Sequence, residues 1–522
     1  MTQLCVPIFV EGIEQAKRNV AAAIEAGADI VELRLDLVAN YADVNVIRAG
    51  LSVPMILTCR SVAEGGDDER SDEERIAFLE KASASGTPYV DVELQMYQRV
   101  PAIEADIPRQ LIISVHDFKG RPSRLYSLID EMNRSRASVN KIAWQARSIR
   151  DNIDAFELLQ SRQKSTIALC MGEAGLMSRV LAKKFGAFLT FASLRPTEAT
   201  APGQPTIEEI KCLYRWDAIN EKTKVFGVVG SPIGHSMSPA IHNAAFDSTG
   251  FDGVYLPMLV EPSYESFKAF MESFLAFPSL DLAGLSITIP HKENALRYLQ
   301  SKGAAIDPLA QKIGAVNTIV ITPAVSVGAQ LRGFNTDYNA ILDCITDKLN
   351  ISRDQLSDYR VAIIGAGGTA RTAVAALAEY GATVVIYNRT RDKSDALANE
   401  FNNRSGRVVA ARMEKLCDSC CHIFINATPV GMSPNVDASP LDGQTVHFTP
   451  DTLVFDTIYN PAETKLLRQA REQGAKTIGG SEMFIRQAAE QFRIWTGVDA
   501  PVQVMRQALQ TRLAQLAGST SE

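Results

Sequence analysis

The 522-residue chain lacks any stretch of about 18 uninterrupted apolar residues, the minimum for a membrane-spanning helix. It has no basic block either: 53 Lys and Arg against 60 Asp and Glu leave a formal charge of −7, which argues against nucleic acid as a partner. An anionic small molecule must then be held by local Arg and Lys clusters. The eight cysteines lack zinc-ligand spacing; Cys417, Cys420 and Cys421 stand together but have no second pair and no suitably spaced His. No metal is expected, and the thiols fit a reducing compartment. The opening MTQLCVPIFV has no basic leader region and runs straight into a strand, so a cytoplasmic protein without a membrane partner is expected. What is there is length, enough for about two to four domains. Nothing in the chain speaks to its oligomeric state.

Short apolar runs recur through residues 1–220: Leu4–Phe9, Ile30–Leu35, Met55–Thr58, Tyr89–Glu93, Leu111–Val115, Lys141–Ala143, Thr166–Cys170 and Ala187–Phe191. Polar-faced segments follow, among them Ile13–Ala26, Asp72–Ser85, Pro122–Arg136, Ile149–Arg162 and Ile207–Ile219. Eight such β-α units predict a (β/α)8 barrel, which carries its active site at the C-terminal strand ends. Charges there are costly unless used or paired. They are Glu32, Arg34 and Asp36 in VELRLDL, Arg60 after ILTC, Glu93 closing YVDVE, His116 and Asp117 after LIISV, and Lys141 opening KIAW. Inter-strand salt bridges account for Glu32, Asp36 and Glu93 as well as a ligand does. Lys141 and His116 ask for more. A lysine desolvated in a barrel mouth near other cations has its pKa lowered and forms an imine with a ketone, while a histidine within reach moves the protons.

VELRLD, CRSVAEGG, SVHDF, NKIA, Met171-Gly172 and APGQP resemble type I 3-dehydroquinate dehydratase across essentially this whole segment. The resemblance implies a (β/α)8 barrel, in agreement with the strand count. It further implies Lys141 as the Schiff-base lysine, His116 as general acid and base, and Glu64 as the residue orienting the histidine. Glu32, Arg34, Arg60, Arg179, Thr200 and Gln204 would hold the carboxylate and hydroxyls of 3-dehydroquinate. Two positions depart from the family pattern: Thr200 replaces a common serine, and Pro7 stands where some members have a substrate-contacting serine.

A fresh strand, VFGVVG, after the KTK of residues 222–224 marks a domain boundary near 221. The next loop presents Ser236 and Ser238 to a helix start at Pro239, where capping explains Ser238 about as well as a ligand does. LSITIPHKENA puts Ser286 and Thr288 on one strand face and Lys292 just past Pro290. AVNTIV sets Asn317 inside an apolar strand, and LRGFNTDYNA sets Asp337 at a loop-helix junction. Buried amide, ammonium and hydroxyl groups together describe a polyol pocket. Hydride delivery to a ketone creates an alkoxide, so a proton donor must stand at that oxygen; Lys292 supplies one, and Asp337 keeps it charged and aimed. The plainer alternative is a surface ion pair.

VAIIGAGGTARTAVAALAEYGATVVIYNRT, residues Val361–Thr390, reads as strand, glycine turn, helix and strand. Gly365 permits the turn and Gly367 admits a pyrophosphate to the backbone. Ala370 takes the place of a third glycine, and Ala366, Gly368 and Thr369 complete the loop at the helix N-terminus. An NAD site would put Asp or Glu after the second strand. Asn388, Arg389 and Thr390 suit a 2′-phosphate instead, so NADP is the expected cofactor. Thr428, Ile458 and Gly480 are expected to line the nicotinamide crevice, and Pro461 to start a helix. Gln487 and Gln491 share one face of a later helix, and His422 and His447 read as structural.

From Val225 onward these motifs are similar to shikimate dehydrogenase. The resemblance implies Lys292 with Asp337 as the catalytic pair, and Ser236, Ser238, Thr288, Asn317, Asp337 and Gln487 as substrate ligands, with Tyr459 beside them and Gln491 also facing the ligand. Ser286 departs from the Asn of many members. The order of the halves resembles bifunctional enzymes of the shikimate pathway. Domains are expected at 1–220, at 221–340 completed by helices at about 486–516, and at 341–485 as a Rossmann domain. The expected reactions are dehydration of 3-dehydroquinate to 3-dehydroshikimate and its reduction to shikimate by NADPH. Two other readings stay open: an NAD-linked quinate dehydrogenase, against which Arg389 speaks, and a quinate-sensing regulator, which predicts losses at Lys141, His116, Lys292 or Asp337 that the sequence does not show.

Overall fold

In a computed structural model the described residues are 2–49, 51–83, 89–100, 110–323, 329–405, 407–416 and 421–519. They form two compact units, one of Met1–Val225, Asp252–Val260 and Phe270–Asp281, the other of Phe226–Phe251, Glu261–Ala269 and Leu282–Glu522.

The first unit is built on eight strands: β1 (Gln3–Phe9), β2 (Ile30–Arg34), β3 (Met55–Thr58), β4 (Tyr89–Glu93), β5 (Gln110–Asp117), β6 (Val139–Gln145), β7 (Ser165–Met171) and β8 (Leu189–Phe191). They make one parallel sheet in the order β7-β6-β5-β4-β3-β2-β1-β8. The expected (β/α)8 barrel is present and nearly closed. Its last strand has only three residues, and across the remaining seam the Phe188 N–H donates to the Thr166 carbonyl at 2.8 Å. Side chains alternate along a strand, and that parity organises the interior. Ile30, Ile56, Ile112, Val139 and Ile167 belong to one apolar cluster. Two residues further along the first four of these strands come Glu32, Thr58, Ser114 and Lys141, all buried.

Two expectations change here. Lys141 is the third residue of β6 rather than its first, because Val139 and Asn140 extend the pairing to Ile112 and Ile113 of β5. The helix expected over Ile207–Ile219 is instead a π-helical turn at Glu209–Leu213 and a 3-10 turn at Trp216–Ala218. Arg215 breaks it: its φ is 56°, and its guanidinium donates to the Gly253 carbonyl.

A second, six-stranded sheet contains β9 (Lys224–Gly230), β10 (Gly253–Leu259), β11 (Leu282–Ile287), β12 (Ala305–Ile306), β13 (Thr318–Pro323) and β14 (Ala329–Phe334), in the order β10-β9-β11-β13-β14-β12. β13 runs antiparallel to both of its neighbours. The third sheet is parallel: β15 (Arg360–Ile364), β16 (Thr383–Tyr387), β17 (Val408–Ala411), β18 (Ile423–Asn426), β19 (Leu453–Asp456) and β20 (Lys476–Ile478), ordered β17-β16-β15-β18-β19-β20. This is the Rossmann strand order, and its direction reverses between β15 and β18, where such folds bind a dinucleotide. The alanine-rich helix Gly368–Glu379 packs there because Ala370, Ala373 and Ala376 present almost no bulk; all three are fully buried. The helix expected from Pro461 begins at Lys465, where the Thr464 hydroxyl caps it by accepting the Leu467 N–H. Cys417, Cys420 and Ser85 lie outside the described residues. No helix among those described is long and apolar enough to cross a membrane.

Candidate active sites

Lys141 enters the charged half of the barrel interior. Its Nζ donates to Asp91 Oδ2 at 2.8 Å, lies 3.4 Å from Glu32 Oε1, and stands 4.7 Å from the centre of the Phe191 ring. Its closest charged partners are therefore carboxylates, not the cations expected from the sequence. Asp91 is a residue the sequence reading misses, although YVDVE places it on the strand face of Glu93, which the reading includes. Arg60 braces Asp91 from the other side: Nη2 reaches Asp91 Oδ1 at 2.7 Å, Nη1 reaches Ser114 Oγ at 2.8 Å, and Ser114 Oγ donates to Asp91 Oδ1 at 2.6 Å. Glu64 and Glu93 lie 3.6 Å from the same guanidinium. Arg60 is thus engaged by the protein's own acids.

His116, near the end of β5, has Nδ1 2.9 Å from Glu64 Oε2, and its backbone N–H donates to the same oxygen at 3.1 Å. Burial, followed by Arg60 and Lys141, holds its imidazolium well below the usual histidine range. Burial pushes the Glu64 carboxyl up to about 7, against the pull of Arg60. Above that pH an ionised Glu64 accepts the Nδ1 proton and leaves Nε2 bare as a base; below it the pair gains a proton.

Glu32, Arg34, Arg60, Glu64, His116, Lys141, Arg179 and Thr200 line one cavity. Gln204 stands behind Thr200, accepting its N–H at 2.8 Å and its hydroxyl at 2.9 Å, with Nε2 buried and without a partner. Arg34 is clamped to Asp36 at 2.5 Å and lies over the Phe9 ring at 5.0 Å. Glu93 pairs with Arg75 at 3.1 Å, so Asp36 and Glu93 are the structural salt bridges and Glu32 belongs to the cavity. Arg179 differs from the other cations. It is 2% exposed, donates only a 3.3 Å bond to the Phe191 carbonyl, and has a buried Nε without a partner. No carboxylate among the described residues forms an ion pair with it, and burial lowers its pKa to about 10. A buried cation without an acid is destabilising by several kcal/mol, on the order of 3–5 when a partner is removed. An incoming carboxylate relieves that.

In the second unit Lys292 and Asp337 each open a helix, Lys292–Ser301 and Asp337–Leu349, and meet with Nζ 2.6 Å from Oδ2. The helix dipole favours an aspartate there and opposes a lysine. Side-chain exposures of 11% and 6% rule out the plain surface pair. Asn317 and Gln491, expected as ligands, are turned into the protein. Asn317 Oδ1 accepts the Thr336 N–H at 2.9 Å and the Thr318 hydroxyl at 2.7 Å, while Nδ2 donates to Thr336 Oγ1 at 3.0 Å. Gln491, 2% exposed, accepts from Ser286 Oγ at 2.9 Å and donates to Thr318 Oγ1 at 3.0 Å. These bonds fix the segment that carries Asp337. Thr288 stands one residue past the end of β11 at Ile287, and its N–H still donates to the Val229 carbonyl of β9 at 3.0 Å. Helix Ser238–Thr249 has no side-chain cap, contrary to the capping account of Ser238; Ser236 Oγ accepts the Ser238 N–H at 3.3 Å. The Met237 N–H bonds to Tyr459, whose ring stacks on Phe484 at 4.5 Å, and Gln487 Nε2 donates to the Phe484 carbonyl at 3.0 Å. Serine loop, Tyr459 and Gln487 are thereby linked.

The glycine loop fits a dinucleotide. Gly365 has φ 118°, and a Cβ there would stand 2.8 Å from the Ala427 carbonyl oxygen. A Cβ on Gly367 would meet nothing within 4 Å, and helix Gly368–Glu379 has no side-chain cap, so its first N–H groups are available to a pyrophosphate. A Cβ on Gly368 would stand 3.2 Å from Lys292 Cδ, which places the loop against that lysine. Ala370 is fully buried, with Ala366 and Thr369 half-buried beside it. Asn388 Nδ2 donates to the Thr390 carbonyl at 2.8 Å; Arg389 is exposed and in no ion pair among the described residues, whereas Arg391 is tied to Asp395 at 2.9 Å. Asn426 and Asp456, which the sequence reading passes over as ligand-loop supports, shape the crevice. Asn426 accepts the Thr428 hydroxyl at 2.7 Å and donates to Asp456 at 3.0 Å, and Asp456, pushed up to about 6 by burial, accepts the Ile458 N–H at 3.1 Å. At Gly480 any Cβ would collide with the Thr457 carbonyl. His422, as expected, is structural: Nδ1 accepts the Arg360 N–H at 3.1 Å.

Four family descriptions match in sequence: type I 3-dehydroquinase over residues 4–221, shikimate dehydrogenase substrate binding domain over 228–319, shikimate / quinate 5-dehydrogenase over 348–431, and shikimate 5′-dehydrogenase C-terminal domain over 480–510. The chain is 38% identical over 525 residues to the chloroplastic bifunctional 3-dehydroquinate dehydratase/shikimate dehydrogenase of Arabidopsis thaliana, covering 97% of this chain and 84% of that one. Over 295 residues it is 39% identical to the shikimate dehydrogenase (NADP(+)) of Methanocaldococcus jannaschii, covering 56% of this chain and 98% of that protein. A crystal structure of a shikimate dehydrogenase in complex with NADP+ is 37% identical, covers 56% of this chain and 97% of its own, and has a TM-score of 0.50.

Proposed function

The chain belongs to the family of bifunctional 3-dehydroquinate dehydratase/shikimate dehydrogenases, and from that premise we propose which residues perform each reaction. It dehydrates 3-dehydroquinate and reduces 3-dehydroshikimate to shikimate, with NADP as cofactor.

In the barrel Lys141 attacks the substrate ketone. The C–N bond forms, the carbonyl C–O bond breaks, and ammonium plus ketone become a protonated imine plus water. The positive nitrogen draws electrons from the neighbouring carbon, whose proton His116 removes through Nε2 and later returns to the leaving hydroxyl. Glu64 holds the ring at 2.9 Å. Arg179 takes the substrate carboxylate, while Glu32, Arg34, Thr200 and Gln204 meet its hydroxyls. The observation that carries this reading is a buried lysine sharing one cavity with a low-pKa histidine and an arginine without an acid.

In the second reaction NADPH supplies the hydride. Gly365, Gly367 and the N-terminus of helix Gly368–Glu379 hold its pyrophosphate, and Arg389 holds the 2′-phosphate. Lys292 gives the new alkoxide its proton, and Asp337, at 2.6 Å, keeps the ammonium aimed. Ser236, Ser238, Thr288, Tyr459 and Gln487 hold the substrate, while Asn317 and Gln491 support the pocket from behind. The chain reads as three domains: 1–220, 221–340 completed by 486–516, and 341–485. Free thiols at all six described cysteines support a reducing compartment, the cytoplasm being our expectation. Incubation with 3-dehydroquinate and NADPH, followed for shikimate, tests both reactions at once. Borohydride added with 3-dehydroquinate alone is expected to leave a mass adduct on the Lys141 peptide; an adduct on Lys119 or Lys164, or none on active enzyme, overturns the assignment.

A further inference from the structure

We propose that Asp91 is a positioning residue for the dehydration: it aims the Lys141 nitrogen at the substrate ketone and then holds the resulting imine in its protonated form. The inference rests on the Schiff-base reading of Lys141. Its basis is the division of labour between the two oxygens of one buried carboxylate. Oδ1 accepts from Arg60 Nη2 at 2.7 Å and from Ser114 Oγ at 2.6 Å, whereas Oδ2 accepts from Lys141 Nζ at 2.8 Å. Arg60 and Ser114 are joined in turn at 2.8 Å, so the carboxylate cannot swing away from the lysine without breaking the two bonds that Oδ1 accepts from this braced pair. Asp91 has no exposed side-chain surface and does not line the substrate cavity, which Lys141, Glu32 and His116 do.

Charge bookkeeping gives this arrangement a purpose. Nitrogen carries one positive charge as the ammonium and one as the protonated imine, so a fixed carboxylate 2.8 Å away serves both states without moving. A neutral imine is a poor electron sink, and loss of the proton on the neighbouring carbon is fast only while the nitrogen stays protonated. Burial alone would favour a neutral Asp91, but Arg60 and Lys141 overrule it and hold the carboxyl far below the usual range. Asp91 therefore stays ionised through the cycle and is not itself the base. That task is left to His116, whose neutral ring faces the same cavity.

Asp91→Asn and Asp91→Glu, made in the full chain, separate this role from simple support of the barrel. For Asp91→Asn, kcat for dehydration should fall by about 100-fold or more while KM stays within about threefold, and the remaining rate should shift towards acid, because solvent must now keep the imine protonated. Asp91→Glu should recover about tenfold of the loss. Reduction of 3-dehydroshikimate by the same preparations monitors the chain's second centre and should be unchanged. An Asn variant with kcat within about fivefold of the parent, or with the parent's pH profile, overturns the proposal; so does a Glu variant no better than Asn with kcat and KM impaired alike. Should the Asn barrel fail to fold, Asp91→Glu decides alone: a kcat lowered about tenfold at constant KM supports the role, and the parent's kcat overturns it. Failure of the parent itself to be trapped at Lys141 would instead sink the Schiff-base reading.

Discussion

The two lysines to which we assign the chemistry of this chain are held in opposite ways. Lys141 lies in the middle of a strand, inside a sheet, with Asp91 at 2.8 Å and Glu32 at 3.4 Å. Lys292 lies at the first residue of a helix, where the dipole opposes it, and owes its place to Asp337 at 2.6 Å. The difference follows from what each must exclude. An imine is lost to water, so its lysine belongs in a closed interior whose strands supply partners on every side. Hydride transfer needs a second large molecule to enter and leave, so its lysine belongs at an element end beside the glycine loop, where Gly368 approaches Lys292 Cδ. One site is built into a continuous sheet; the other is assembled from the tips of helices and loops.

The sharpest way to break that comparison is to remove the covalent lysine. Lys141→Ala should lower dehydration by more than about 10⁴-fold, because no other route to the electron sink remains, and leave reduction of 3-dehydroshikimate intact. Loss of both activities would show that the two sites are not independent. His116→Ala should lower dehydration by about 10²–10⁴-fold yet still permit borohydride trapping, since the base acts after the imine forms. In the other centre, Lys292→Met or Asp337→Asn should lower kcat by about 10²–10³-fold with little change in shikimate binding, and the double variant should be scarcely worse than the worse single one; additive losses would mean two separate roles. Arg389→Ala should weaken NADPH by about 1.5–3 kcal/mol, read as KM, and leave NADH nearly unaffected. Equal effects on both cofactors would reject the 2′-phosphate assignment.

The smallest effect separates the sites by pH. Glu64 titrates at about 7, above the ordinary carboxylate range, so dehydration should decline as pH falls through 7 and the base on His116 is lost. Glu64→Gln should remove that step. Reduction of 3-dehydroshikimate should show no step attributable to Glu64, which the two pH-rate profiles, measured on one preparation, will test directly.

Legibility also differed between the regions. The barrel was readable because its strands are short apolar runs at regular intervals, and because strand parity forces Glu32, His116 and Lys141 inward wherever the apolar floor residues point inward. Asp91 obeys the same parity, but YVDVE offers two acids on one face, and only the fold shows that Glu93 turns to Arg75 while Asp91 turns to Lys141. In the dehydrogenase half, Asn317 was expected in a polyol pocket because it interrupts an apolar strand, and Gln491 at the ligand because it shares a helix face with Gln487 and the shikimate dehydrogenase resemblance turns that helix to the substrate. They proved to be satisfied by Thr336, Thr318 and Ser286, residues up to 205 positions away in the chain.

Local spacing, then, determined the elements and the residue types at their ends: eight strands, the turn at Gly365, the lysine after Pro290, Arg389 after β16. These depend on backbone periodicity and on conformations open to glycine, which a short segment carries by itself. The tertiary structure decided which acid meets which base, that Arg60 is engaged while Arg179 meets no acid among the described residues, and that Gly480 tolerates no side chain beside Thr457. A charge has no fixed range along a sequence; its partner is whatever the fold brings within about 4 Å, and in a buried site that distance sets the pKa, the proton and the function.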